Sequence, residues 1–252
     1  MIWPFTRQSA APPAVASPPP PDGAPRRFVV PDIHGCDRTF KALVEEVICL
    51  RKVDDLYLLG DYIDRGPRSR EVLEYILRLN AEGYRLFPLR GNHEEMFLNA
   101  CDDRDQAVTW ILNGGYTALD SFGVDDARQV PLPFREFCEG LPCFYLLDDY
   151  LLVHAGFNPK AEEPFADTQS MLWTRTRSME SKQLGGRTMV CGHTPHGIRE
   201  IEKMIRSDHG LIVLDNGCFM TGRKGMGALL ALELDSRTLY SQQNVENPPQ
   251  NP

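Results

Sequence analysis

Two aspartates, an arginine and two glycines crowd into "GDYIDRG", residues 60–66, directly behind the apolar run "LYLL". Four further clusters follow the same plan: "PDIHG" (31–35), "GNHE" (91–94), "HAG" (154–156) and "GHT" (192–194). Together they offer Asp32, His34, Asp61, Asn92, His154 and His193, a set of oxygens and imidazole nitrogens without a thiolate. Such donors suit divalent transition ions (Mn²⁺, Fe²⁺ or Zn²⁺) better than a closed, cysteine-based zinc site. Six donors are more than one catalytic ion takes while keeping room for water, and a carboxylate shared by two ions resolves the excess. Asp61 is the natural bridge. Paired ions of this kind stand about 3.5–4 Å apart and stabilise an in-line displacement. Taken singly, each residue has a plainer reading: Asp64 with Arg65 as a surface turn pair, His154 as a hydrogen-bonded core histidine, Asn92 as a helix cap. Their recurrence at equivalent places along the chain is what argues for one site.

Those places are the ends of strands. "RFVV", "LYLLG" and "YRLFPLRG" read as short strands, separated by the helical patterns "FKALVEEVICL" and "SREVLEYILRLNAEG", the latter stopped at Gly83. "EEMFLNAC" opens another helix. Strand and helix in alternation imply parallel strands with helices packed on the sheet faces. After a polar stretch containing "WILNGGYTALDSFG", strands recur as "FYLLDDYLLVHAG", "TMVCGHT" and "LIVLDNG", and "GALLALELD" with "TLYS" forms an antiparallel pair turning at Asp235–Ser236. In open α/β sheets, ligands bind beyond the carboxyl ends of the strands. Five clusters far apart in sequence can therefore meet there.

The series D-x-H-G, G-D-x-x-D-R-G, G-N-H-E, H-A-G and G-H-T resembles the phosphoprotein phosphatase family of metallophosphoesterases, in the family's own order and over roughly residues 27 to 240. The resemblance implies a calcineurin-like β-sandwich flanked by helices (α-β-β-α), an α/β single domain over 26–242. It implies that Asp32 and His34 bind a first ion, that Asp61 bridges, and that Asn92, His154 and His193 complete a second site. His93 would be the general acid, oriented by Asp64. Arg65, Asn92 and Arg175 of "MLWTRTR" would hold phosphate oxygens, with Arg177 an alternative to Arg175. "WILNGG" would lie in a cap region by the groove. The implied reaction is hydrolysis of a phosphoserine or phosphothreonine monoester by direct water attack, supported by two divalent ions, Mn²⁺ first among them. One position departs from the pattern: Pro31 stands where relatives carry glycine, so the strand exit must do without an N–H and with a fixed φ.

The chemistry stands beside the resemblance. A phosphomonoester dianion repels an anionic nucleophile, so its charge must be neutralised, and metal coordination lowers the pKa of water to about 7 in favourable cases. Guanidinium forks match phosphate oxygens. An alkoxide leaves poorly, so a positioned acid accelerates the step by about 10²–10⁴. A rival substrate class is the symmetrical dinucleoside polyphosphates (diadenosine tetraphosphate), whose hydrolases resemble this chain over the same motifs. Those enzymes usually lack the second aspartate of G-D-x-x-D-R-G and carry G-N-H-D, whereas this chain has Asp64 and Glu94. A rival from another class is a binding protein in which the ions serve structure and a proline-rich tail recruits a partner.

Composition bounds the rest. The chain has 252 residues with a net charge of −8, which argues against a nucleic-acid duplex as partner. Seven cysteines without a CxxC pair, and a start lacking a signal or membrane segment, point to reduced thiols, a cytoplasmic protein and no membrane association. Residues 1–25 form a Pro/Ala-rich segment expected to be disordered, and residues 243–252 are expected to fray. A monomer is expected. His196 and His209 read as surface residues, Cys36 as a packed thiol and "NGG" (113–115) as a turn, while Asp215, Asn216 and Gly217 could support the metal histidines from behind.

Overall fold

The computed structural model describes residues 23–207 and 210–246. The expected disordered segment therefore lies, except for residues 23–25, outside the described residues, as does His209. The chain begins with β1 (Arg27–Val30), α1 (Asp37–Ala42), β2 (Asp55–Leu58), α2 (Ser69–Ala81) and β3 (Arg85–Pro88), three parallel strands joined by helices as the alternating pattern predicts. Four helices follow as α3 (Asn92–Asp102), α4 (Arg104–Trp110), α5 (Tyr116–Phe122) and α6 (Leu132–Glu139). The second half contributes β4 (Phe144–Leu146), β5 (Tyr150–Val153), α7 (Thr168–Trp173), β6 (Thr188–Cys191), α8 (Ile198–Arg206), β7 (Leu211–Val213), β8 (Ala228–Glu233) and β9 (Thr238–Gln243).

The strands form two sheets, ordered β3-β2-β1-β8-β9 and β4-β5-β6-β7. Their faces sort the apolar residues by the two-residue period of a strand. Phe28, Val30, Leu56 and Leu58 pack beneath the helices with Phe40, Val72 and Ile76. Val29, Tyr57 and Leu59 meet Tyr150, Leu152, Val190 and Ile212 of the second sheet. Leu151, Val153, Met189 and Cys191 face outward onto Met171 of α7. Both faces of each sheet are thus covered, which is why these strands read as unbroken apolar runs. Each fully buried large aliphatic side chain contributes about 1.5–3 kcal/mol to holding the layers together.

Several readings change. "FYLLDDYLLV" is a hairpin, with β4 antiparallel to β5 and the acidic pair Asp148–Asp149 in its turn. The "WILNGG" region is helical: α4 passes through a wide π-helical turn, Ile111–Gly115, into α5, with Gly114 at φ 112° as the break. Residues 243–246, at the start of the segment expected to fray, are docked, and residues 247–252 lie outside the described residues. β9 ends at Gln243, Asn244 donates its N–H to Gly227, and Glu246 accepts from the N–H and hydroxyl of Thr39. Composition hid this because the anchoring partners lie some 200 positions away on α1. No helix among the described residues is long and apolar enough to cross a membrane.

Candidate active site

The loops leaving β1, β2, β3, β5 and β6 converge at one edge of the sandwich, where the side chains the sequence singled out meet in two groups around Asp61. His34 Nε2 lies 3.5 Å from Asp61 Oδ2 and 3.9 Å from Asp32 Oδ2. On the other side His154 Nε2 is 3.5 Å from Asp61 Oδ1. Asn92 Oδ1 stands 2.9 Å from both His154 Nε2 and His193 Nδ1. The two oxygens of one carboxylate thus face two separate donor groups, the arrangement required of a bridging ligand.

The imidazoles are preset. His34 Nδ1 donates to Ile63 O at 3.0 Å and His154 Nδ1 to Leu59 O at 2.9 Å, leaving each Nε2 with its lone pair toward the centre. Burial pushes both rings well below the usual histidine range, and burial with the charge of Arg175 lowers His193 to about 4. They are neutral at neutral pH. Burial raises the carboxyls of Asp32 and Asp61 well above their ordinary values, and each is raised further by a neighbouring carboxylate, Asp215 and Asp32 respectively. Buried acids that raise one another, beside neutral imidazoles with inward lone pairs, fit divalent cations in chemistry and in placement.

Backbone and helix geometry pay into the same centre. Seven non-glycine residues among those described have positive φ, and five are His34, Asp61, Asp64, Arg65 and His193. Such angles cost of order 1–3 kcal/mol each and persist where the surroundings over-determine them. Here the surroundings are Glu94 and the start of α3. The Glu94 carboxylate, fully buried, accepts from the N–H groups of Asp61, Tyr62 and Gly91 at 2.8–2.9 Å. Asn92 is the first residue of α3 and points its amide at the imidazoles, so Glu94, and not Asn92, closes the helix start. The His93 N–H donates to Asp61 Oδ1 at 3.0 Å, adding the positive helix end to the bridge. Gly60, at φ 98°, lets this loop run against the Gly91 backbone, where a Cβ would collide.

His93 Nδ1 is 2.6 Å from Asp64 Oδ2, and its Nε2 is buried without a partner, 3.9 Å from Asp61 Oδ2. Arg65 Nη1 lies 2.9 Å from His34 Nε2, and its guanidinium sits 4.9 Å above the Phe219 ring. Arg175 and Arg177 are exposed and line one cavity of about 420 Å³ with Thr194 and His196. Neither arginine has a hydrogen-bond or ion-pair partner among the described residues. His196 is half-buried, its Nδ1 2.7 Å from Thr194 O. The Asp215 carboxylate accepts from the Gly217 N–H and acts on Asp32 by charge, its main-chain carbonyl accepts from the His196 N–H, and Asn216 ties the 196 and 225 loops. Pro31 is accommodated because the β1 ladder ends at Val30, and both Asp32 oxygens still accept from the His193 N–H. Sequence reasoning missed Phe219, which carries no motif, placed Trp110 only within the "WILNGG" segment beside the groove, and used Glu94 only to separate substrate classes.

A two-sheet sandwich whose strand ends gather histidines and aspartates around a shared carboxylate defines a metal-dependent phosphoesterase. The chain belongs to the calcineurin-like phosphoesterase family, whose model matches residues 25–217. It is 28% identical over 205 residues to serine/threonine-protein phosphatase 2 of Salmonella typhimurium, covering 77% of this chain and 88% of that protein. It is 31% identical over 159 residues to a symmetrical bis(5′-nucleosyl)-tetraphosphatase of Acidovorax ebreus, covering 55% of this chain and 47% of that protein. Among solved structures, a protein serine/threonine phosphatase from Saccharomyces cerevisiae shares the fold, with a TM-score of 0.59 at 16% identity over 89% of this chain and 82% of that one.

Proposed function

We propose that this protein is a dinuclear phosphomonoesterase acting on phosphoserine and phosphothreonine in proteins. The observation that carries the reading is the acid dyad: His93 tied through Nδ1 to Asp64, with an unpartnered Nε2 beside the bridging carboxylate. A tetraphosphate, which releases a nucleotide phosphate, has little use for such an acid. A serine alkoxide needs it.

Asp32, His34 and Asp61 would hold one ion, and Asp61, Asn92, His154 and His193 the other. The bound pair supplies charge neutralisation and a water acidified toward a pKa of about 7. Arg65 shares the His34 lone pair that an ion would need, so filling the site frees its guanidinium for phosphate oxygens. Asn92 lies between the two histidines, and Arg175 stands free at the rim near His193 as a second cation for the phosphate. Water attacks phosphorus as the P–O bond to the alcohol breaks and His93 Nε2 hands its proton to the departing oxygen; one proton of the water stays on the phosphate and the other is released, restoring the acid for the next turnover. Burial favours neutral forms of both His93 and Asp64, so the dyad holds a proton between them. An arriving phosphate dianion favours the imidazolium.

Mn²⁺ is the ion the family resemblance puts first among the ions this donor set suits, and reduced cysteines support a cytoplasmic setting, with a monomer expected. Full-length protein loaded with Mn²⁺ is expected to hydrolyse both p-nitrophenyl phosphate and phosphoserine peptides. Failure on both overturns the reading. The likeness to the tetraphosphatase supports a second reading, decided by assaying diadenosine tetraphosphate beside a phosphopeptide: a higher kcat/KM for the dinucleotide replaces the first reading with the second.

A further inference from the structure

Asp64 Oδ2 has two hydrogen-bond partners. One is His93 Nδ1 at 2.6 Å, with which it shares a proton, and the other is the indole of Trp110, whose Nε1–H donates from 2.8 Å away. Trp110 closes α4 and is 1% exposed. Its ring lies 5.4 Å from that of Phe97 on α3 and packs so closely on Gly115 that a Cβ there would collide with it. The turn that follows touches the same loop again: Gly114 O accepts from the Arg65 N–H at 3.4 Å, and a Cβ on Gly114 would stand 3.0 Å from Arg65 Cγ.

The other oxygen, Asp64 Oδ1, is buried and has no partner among the described residues. A carboxylate bound to His93 alone could turn and present either oxygen, tilting the imidazole as it did so. A second, rigid donor on Oδ2 removes that freedom, because the indole is clamped between Phe97 and Gly115 and its N–H has a single direction.

We propose that Trp110 is a positioning residue for the general acid: its N–H fixes the plane of Asp64 and thereby aims His93 Nε2 at the leaving oxygen. This rests on the phosphomonoesterase reading above. The alternative role, an indole that merely satisfies its own N–H in the core, would alter stability without regard to the leaving group.

The two roles separate by substrate. Trp110→Phe keeps most of the packing and removes the donor. The Mn²⁺-loaded full chain is assayed with 2,4-dinitrophenyl phosphate, whose leaving group needs no acid, with phenyl phosphate and with a phosphoserine peptide. Wild-type turnover of the dinitrophenyl ester tests the phosphomonoesterase reading itself, and its absence would sink that reading whatever Trp110 does. For Trp110→Phe, kcat is expected to stay within about twofold of wild type on the dinitrophenyl ester and to fall about tenfold or more on the other two, at unchanged KM and metal content, a fraction of the full effect of a general acid. In an Asp64→Asn background the same change is expected to add less than about twofold, as for residues acting through one another. An equal loss on every substrate, or an undiminished loss in the Asp64→Asn background, overturns the proposal. Should Trp110→Phe fail to melt cooperatively, 3-benzothienylalanine placed at 110, which puts sulfur where the N–H was, gives the same readout in an unchanged shape.

Discussion

Three imidazoles at the centre each have one nitrogen committed to holding the ring still and one left for chemistry. His34 and His154 commit Nδ1 to main-chain carbonyls, His93 commits Nδ1 to Asp64, and in each the Nε2 remains. The division sets a direct expectation for His93→Asn. An asparagine keeps a hydrogen bond to Asp64 within reach but has no proton of suitable acidity to give, so kcat on a phosphoserine peptide should drop by about 10²–10⁴. Metal content, measured by inductively coupled plasma mass spectrometry, should stay at the wild-type value. Loss of metal together with activity would assign His93 to ion binding, for which its Nε2 also lies close enough to Asp61.

At the scale of elements, the far ends of β1 and β2 are locked by an ion pair as buried as the site itself. Asp54 is fully buried and accepts from the main-chain N–H and side chain of both Arg26 and Arg51. Those bonds outweigh its burial and hold its carboxyl well below the usual carboxylate range. A depressed carboxylate contributes stability that is complete above its unfolded value near 3.8 and disappears as pH falls through the folded value. Asp54→Asn leaves two arginine head groups without their anion and should cost about 3 kcal/mol at pH 7 by urea denaturation. The deficit relative to wild type should shrink as pH drops below about 4, since Asp54 of the unfolded wild type then takes up a proton that the folded chain does not. A deficit independent of pH would mean that packing, not charge, holds this corner.

For the whole molecule, the site gathers buried carboxyls that bound cations would relieve. Ions that bind the folded chain and not the unfolded one raise stability by mass action, about 2.7 kcal/mol at a hundredfold excess over Kd. Differential scanning fluorimetry is therefore expected to show a higher Tm with Mn²⁺ at pH 7.5. The gain should diminish at pH 5, because burial raises Asp215 to about 6 and Asp32 in the same direction, so protons compete for the acidic side of the cluster. His193, near 4, does not compete in that range. A gain unchanged between the two pH values would show that the carboxyls titrate lower than their burial implies.

The sequence by itself determined which atoms could meet. The donors are read from residue type, and their position at strand ends follows from apolar runs that stop at glycine, a local pattern that a window of ten residues contains. The parallel strand-helix alternation and the β8–β9 turn were legible for the same reason. Only the tertiary structure decided how the meeting is made. That Asp61 turns one oxygen to each donor group, that Glu94 gathers the N–H groups of Asp61, Tyr62 and Gly91, that Phe219 lies under Arg65, and that an indole 46 positions beyond Asp64 bonds to its carboxylate, are contacts between surfaces without a shared period. The π-turn at Gly114 and the docked residues 244–246 escaped for the same cause. Periodicity reports which face of an element is buried, and it is silent on which distant side chain that face will touch.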